Sequence, residues 1–349
     1  MDRFVTDAWY VAAESGDVGR APLARTLLGR PVVLYRTGVG APVALEDACP
    51  HKLAPLSGGT LRGDAIECGY HGLTFDPRGE CVRAPGARTI PANACVPSLP
   101  AADHLGFVWV WTGDPAAAAP EKLPQVADYG RQGWTIGRGA PMRFAARWWL
   151  LAENLIDPAH TSFVHRSTVG GASGEDAPLR LERGSGDVCF GRWIEKSEPV
   201  PVMRTLGGVS GPVDRWQTYA FTAPQTGTVD FGAIAHGAPH TEAAMDAGFR
   251  IRTVMFITPE TARSTRYYWF QMRNFAPGDD GVTASLLASY AHTFEEDRML
   301  LEAIQTNEDA LGVRRTVRLP IDAGGVRLAR VMAALAASPA QRVPPREAA

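Results

Sequence analysis

Residues 49–71 read CPHKLAPLSGGTLRGDAIECGYH, and the placement of two cysteines and two histidines in this stretch decides how the front of the chain is read. Cys49 and His51 stand two residues apart, sixteen residues follow, and Cys68 and His71 then stand three apart. Each half offers one thiolate and one imidazole from a tight loop. Pro50 stiffens the first loop, while Gly69 and Gly72 let the second fold closely around whatever it holds.

Two thiolates and two imidazoles on paired loops are the ligand set of a Rieske-type 2Fe–2S centre, with both cysteines on one iron and both histidines on the other. Neutral imidazoles leave less negative charge on the cluster than thiolates do, which raises its potential. The same four side chains also suit a tetrahedral structural zinc. Zinc modules pair their cysteines on one knuckle and their histidines on a helix. Here each loop mixes the two, so each loop would serve both metals of a binuclear centre.

The chain has 349 residues, which suggests two domains and is ample for sizeable cores. An apolar content of 45% and a charged content of 21% are ordinary for a globular protein. A net charge of −2 leaves no electrostatic footprint for nucleic acid or an anionic membrane. The start, Met1-Asp2-Arg3-Phe4, has no apolar leader pattern, and no eighteen-residue apolar run occurs, so the cytoplasm is the expected location. Cys81, Cys95 and Cys189, the remaining cysteines, have no framework spacing and read as reduced, mostly buried thiols.

From about Trp9 to Trp111 short runs of strand formers recur between turn signals. Pro31–Tyr35, Val43–Leu45 and Phe107–Trp111 are such runs, and Gly58-Gly59, Pro77-Arg78-Gly79 and Ala84-Pro85-Gly86 separate them. An all-β domain over residues 1–115 is expected, its loops holding the metal. The Ala/Pro-rich stretch at 116–124 reads as a linker, 125–337 as a second domain and 338–349 as a disordered tail. Within the second domain, Thr228–Phe231, Arg252–Thr258 and Tyr267–Phe270 predict an antiparallel sheet, giving an α+β fold overall. No Gly-rich phosphate motif for NADH or flavin is visible.

A second constellation lies in Glu153–His165. On a helical projection Asp157 and His160 lie about 60° apart, and His165 about 80° round on the other side of Asp157. A helix end or bulge near Pro158 would bring both imidazoles to one point. Two histidines and a distant carboxylate make the facial triad of a non-haem Fe(II) oxygenase; alone, such a pair is also a common helix cap or polar network. In the helical stretch Thr293–Ile304, Asp297, Leu300, Leu301 and Ile304 fall on one stripe, which makes Asp297 the candidate carboxylate. Glu295, Glu296 and Glu302 read as solvated charges.

With these residues in place the chain resembles the oxygenase components of Rieske non-haem iron aromatic oxygenases over nearly its whole length. Both ligand loops and the Asn154/Asp157/His160/His165 segment match that family's motifs in order and spacing. The stretches Cys68–Leu73, Val213–Gln217, Phe256–Glu260 and Ile321–Val326 resemble the branch of vanillate and dicamba O-demethylases. The resemblance implies an N-terminal Rieske domain, a catalytic domain with a helix-flanked sheet, and a homotrimer. Cys49, His51, Cys68 and His71 would hold the 2Fe–2S cluster, and His160, His165 and Asp297 the mononuclear iron. Asp157 would link the cluster of one subunit to the iron of the next and orient His160, with Asn154 supporting the iron site.

Electrons would come from an NADH-dependent flavin or ferredoxin reductase. With O2, oxygenation of a methoxy carbon would give a hemiacetal that collapses to a phenol and formaldehyde. Substrate alternatives are another aromatic acid, a sulfonate or an N-methyl compound. For an aromatic carboxylate, His236, Asn274, Arg204 and Arg215 are candidate polar partners in an otherwise apolar pocket. An electron-transfer protein that uses only the first domain is the reading outside oxygenase chemistry. Iron analysis separates the two: we expect about three irons per chain, whereas a pure relay binds about two.

Overall fold

The computed structural model describes residues 4–165, 180–181, 186–312 and 316–337. Two units are resolved. The first comprises residues 4–123 and takes in Thr258–Ala262; the second is built from Pro124–Ile257 and Arg263–Leu335.

In the first unit the runs rich in β-branched and aromatic residues become strands. Pro31–Tyr35 lies in Arg30–Arg36, Val43–Leu45 in Pro42–Glu46, and Phe107–Trp111 is itself a strand. The strand Arg30–Arg36 shows why alternation matters. Val32 and Leu34 enter one core cluster, with Tyr10, Val108 and Val110. Val33 and Tyr35 enter another, which includes Leu56, Ile66, Phe75 and both Cys49 and Cys68. Three small sheets result, and the four-stranded one formed by Thr60–Arg62, Ala65–Glu67, Thr74–Phe75 and Cys81–Arg83 carries the second ligand loop between its middle strands. The stretch expected to be a linker is tied down: Trp9 Nε1 donates to the Ala119 carbonyl at 2.9 Å, and Lys122 lies over the Trp111 ring.

The second unit is an eight-stranded antiparallel sheet with helices, in keeping with the α+β expectation. Its strands run Thr135–Arg138, Ser264–Arg273, Phe249–Thr261, Thr226–Ala235, Val213–Thr222, Val188–Ser197 and Arg180–Leu181 in spatial order, with Met142–Phe144 also pairing with Ser264–Arg273. The helices are α1 (Trp148–Leu155), α2 (Thr161–Val164), α3 (Pro201–Thr205), α4 (Glu242–Ala247), α5 (Asp280–Leu311) and α6 (Ala323–Ala337). Among the described residues no helix is long and apolar enough to cross a membrane.

The two faces of this sheet differ in chemistry. On one, Asp230 accepts from Trp216 Nε1 and from the guanidiniums of Arg250 and Arg252, and Arg250 also reaches Glu242 and Asp246 of α4. On the other, Gln217, Tyr219, Val229, Phe231, Thr253 and Met255 alternate inward and line a cavity. Gly232 lies directly opposite Trp216 in the register. A Cβ there would come within 2.1 Å of the indole and 2.4 Å of the Phe249 carbonyl, which cannot move aside. Gly232→Ala is therefore expected to cost about 1–3 kcal/mol through overpacking. Gly16→Ala, where nothing lies within 4 Å, should leave the thermal midpoint unchanged; parallel unfolding scans of the two variants check this.

Candidate metal centres and the cavity

The two front loops are built alike. In the first, Cys49 N donates to the Ala54 carbonyl and Leu53 N to the Cys49 carbonyl; in the second, Cys68 N donates to Leu73 and Gly72 N to Cys68. Leu53 and Gly72 occupy the same place in the two turns, and both have positive φ, 57° and 73°. Glycine takes that conformation freely, whereas leucine there is strained. Both cysteines are buried at 2% exposure, while His51 and His71 face outward with ring centroids 4.5 Å apart. Burial, with Cys68 alongside, pushes the Cys49 thiol up. Two inward sulfurs and two outward imidazoles on matched loops fit a binuclear cluster whose histidine edge meets solvent.

Of the other cysteines Cys189 is buried, but Cys81 is half-buried and Cys95 exposed, so the expectation of mostly buried thiols holds for one of the three. None of the five forms a disulfide.

In the second unit the chain breaks where Pro158 forbids a continuing helix. α1 ends at Leu155, His160 caps the one-turn α2, and His165 follows its last residue. The two imidazoles thus come from the two ends of a single turn, with centroids 5.1 Å apart, rather than from one helical face. Asp297 reaches them from α5: its Oδ1 is 3.6 Å from His160 Nε2 and 3.2 Å from His165 Nε2. One ligand atom from each of the three lies within 4.8 Å of the others.

Each imidazole has its Nδ1 engaged elsewhere, which leaves Nε2 for a metal. His165 Nδ1 donates to Glu296 Oε2 at 2.9 Å, and His160 Nδ1 donates to the Asp157 backbone carbonyl. Asn154 Nδ2 donates to Asp297 Oδ1 at 3.0 Å. Burial pushes the His160 imidazolium down, against the pull of Asp297 and Asp157. Burial also opposes charge on His165, but its bonds to Asp297 and Glu296 prevail and its pKa rises. A nearly buried carboxylate facing two oriented imidazoles suits a divalent iron.

Several expectations need correction. Glu296 is no solvated charge but the carboxylate that holds His165. It sits one residue before Asp297, about 100° round the helix, and only the fold of the His165 segment brings that flank into play. Glu302 accepts from Ala145 N at 2.9 Å, so it ties α5 to the entry of α1. The inward stripe of α5 runs through Tyr290, Thr293, Phe294, Asp297, Leu301 and Gln305, leaving Leu300 exposed. The Asp157 carboxylate accepts from Ala159 N and stands 3.9 Å from His160 Nδ1, so the residue's carbonyl, not its side chain, orients that ring.

None of the four candidate substrate partners lines the cavity. His236 donates from Nδ1 to Asp214 at 2.8 Å near the end of a strand. Asn274 spends its amide on the Asp246 and Gly248 carbonyls and its Oδ1 on Arg250 N. Arg204, in the last turn of α3, donates to the Pro199 carbonyl, and the buried Arg215 donates to Ser197 Oγ at 2.9 Å. The cavity spans about 620 Å³ of non-atom space, open solvent at its mouth included. Leu155, Val229, Phe231, Met255 and Phe294 supply its apolar wall; Gln217, Tyr219, Thr253 and Tyr290 supply polar groups beside the His160/His165/Asp297 triad. Strand alternation in Val213–Gln217 sets Gln217 on the face opposite Trp216, but nothing within the strand tells which face meets the cavity.

Residues 8–100 match the Rieske [2Fe-2S] domain, and residues 144–338 match the vanillate O-demethylase oxygenase C-terminal domain. The chain belongs to the Rieske oxygenases of the vanillate O-demethylase type. It is 35% identical to a putative toluene-4-sulfonate monooxygenase system iron-sulfur subunit from Comamonas testosteroni, over 92% of this chain and 93% of that protein. It is 33% identical to the vanillate O-demethylase oxygenase subunit of Pseudomonas sp. (strain HR199 / DSM 7063), over 94% of each. Dicamba monooxygenase bound to 3,6-dichlorosalicylic acid superposes with a TM-score of 0.87 at 31% identity, covering 95% of this chain and 98% of that one; the same enzyme is also known with non-haem iron.

This Rieske oxygenase is therefore the oxygenase component of a multicomponent monooxygenase system, and its cofactors are a 2Fe–2S cluster and a mononuclear non-haem iron. The front loops belong to a cluster domain, not a zinc module. Membership in such a system implies a separate reductase partner. In this oxygenase Glu296→Gln is expected to weaken retention of the mononuclear iron about 10–100-fold. Iron remaining after graded chelator dialysis measures the loss, while the visible absorption of the cluster stays unchanged.

Proposed function

We propose that this oxygenase O-demethylates a methoxylated aromatic acid such as vanillate. The substrate ArOCH3, O2, two electrons and two protons yield ArOH (protocatechuate from vanillate), formaldehyde and water. The observation that carries the reading is the cavity, where an apolar wall adjoins the His160/His165/Asp297 triad. Cys49, His51, Cys68 and His71 are the proposed cluster ligands. When bound, the mononuclear iron supplies oxygen activation and the cluster delivers electrons singly from an NADH-dependent reductase.

The protein's own part is positional. Glu296 and the Asp157 carbonyl hold the Nδ1 protons and so present both Nε2 atoms. Asn154 fixes Asp297. Leu155, Val229, Phe231, Met255 and Phe294 exclude water and hold the ring against the triad. A homotrimer in which Asp157 bridges neighbouring subunits completes the proposal, as in the family it resembles.

A second reading is favoured by the 35% identity to the toluene-4-sulfonate monooxygenase subunit: oxidation of a ring methyl group on an aromatic sulfonate. The two differ in product. With a generic reductase, NADH and O2, vanillate is expected to release one formaldehyde per substrate consumed. Toluene-4-sulfonate turnover to an alcohol, with vanillate inert, would instead select the second reading.

A further inference from the structure

Gln217 reaches the cavity from Val213–Thr222, and a neighbour decides which end of its amide points there. Arg192 stands directly opposite it in the register of the adjacent strand Val188–Ser197. Arg192 Nε lies 2.7 Å from the Gln217 side chain. A guanidinium can only donate, so the amide atom facing it must be the oxygen. The amide nitrogen is thereby turned away from Arg192, and its two N–H groups have no bonded acceptor among the described residues. Both side chains are buried, at 5% and 6% exposure, so exchanging the ends of the amide would break a charge-assisted bond and set donor against donor.

The other polar groups of the cavity are less selective. Thr253 Oγ1 is already engaged by Gln271 Nε2 at 3.3 Å, and a hydroxyl such as that of Tyr290 can donate or accept, so it adapts to either kind of ligand. Gln217 presents donors alone. Arg215, two residues back on the same sheet face, places a second buried guanidinium beside Arg192. Burial, then the charge of Arg192, brings Arg215 down to about 10.

We propose that Gln217, its amide locked by Arg192, is the specificity-determining residue that receives the ring oxyanion, a carboxylate or sulfonate, of the aromatic substrate. This rests on the aromatic-acid reading above and assigns the acid group its partner. Gln217 touches substrate; Arg192 acts through it as a positioning residue. A group that brings its own proton, such as an amine, meets only donors there and is disfavoured, because its N–H and those of Gln217 are both left unsatisfied.

The test is equilibrium dialysis of the holo-oxygenase, without reductase, against 4-methoxybenzoate and its planar apolar isostere 4-isopropenylanisole. Wild type is expected to bind the acid about tenfold or more tightly than the isostere, the worth of a hydrogen bond to a charged group. Gln217→Leu should bring the two within about threefold by weakening the acid alone, and Gln217→Glu, nearly the same shape, should reverse the preference. Arg192→Leu should lower the acid-to-isostere ratio while leaving isostere affinity in place. Iron content and thermal midpoint are measured for every variant.

A Gln217→Leu protein that keeps the wild-type ratio overturns the assignment, as does a wild type indifferent to the acid group. Formaldehyde release is scored separately. Selective binding through Gln217 without demethylation removes the demethylase reading and leaves this one standing. Vanillate demethylation with an unchanged ratio in Gln217→Leu removes this one alone.

Discussion

A carboxylate brought into an apolar interior must be compensated, and here Asp297 is compensated by two imidazoles and an amide. The group costs several kcal/mol to desolvate as an isolated charge, yet at 6% exposure it faces His160, His165 and Asn154. Such an arrangement is stable as a polar network and becomes a metal site because both Nε2 atoms point at the same oxygen. Everything around it serves that convergence. Pro158 breaks the helix so that two histidines can approach one point, and α5 runs 32 residues to deliver a carboxylate from the far end of the chain. Glu302 and Gln305 of α5 accept from the backbone nitrogens of Ala145 and Arg147, which ties the helix to the entry of α1.

The sheet contributes by being asymmetric. One face carries the network of Asp230, Arg250, Arg252, Glu242 and Asp246, which α4 helps close. The opposite face carries Gln217, Arg192 and Arg215, and beside them Val229, Phe231 and Met255 give the cavity its apolar wall. Trp216 and Gly232 illustrate the matching: the indole needs the space that a missing Cβ leaves. Gly324 plays the same part for α6, where a Cβ would come within 2.7 Å of the Ile156 carbonyl just beyond α1.

Much of this was legible locally. Cys49, His51, Cys68 and His71 announce themselves because loop ligands come in short spacings, and the strands announce themselves by β-branched runs. Asp297 was reachable because its stripe includes Leu301, although Leu300 proved to face outward. Glu296 was misjudged, since nothing within α5 distinguishes a carboxylate on a solvated flank from one that another segment covers. The candidate substrate residues fared worst. His236, Asn274 and Arg204 are chemically suitable, but each is consumed by a local bond to Asp214, to the turn before Phe249, or to Pro199.

The sequence by itself determined that the chain carries two sets of metal-ligating residues and which kind each set suits, because ligand type and loop spacing are properties of neighbouring residues. Only the tertiary structure decided which end of Gln217 faces the cavity, that Glu296 rather than bulk water holds His165, and that Arg215 spends its Nε on Ser197 instead of lining the cavity. Those outcomes depend on the register between strands and on segments over a hundred residues apart meeting in space, as Glu296 and His165 do. No periodicity within one element encodes such a meeting.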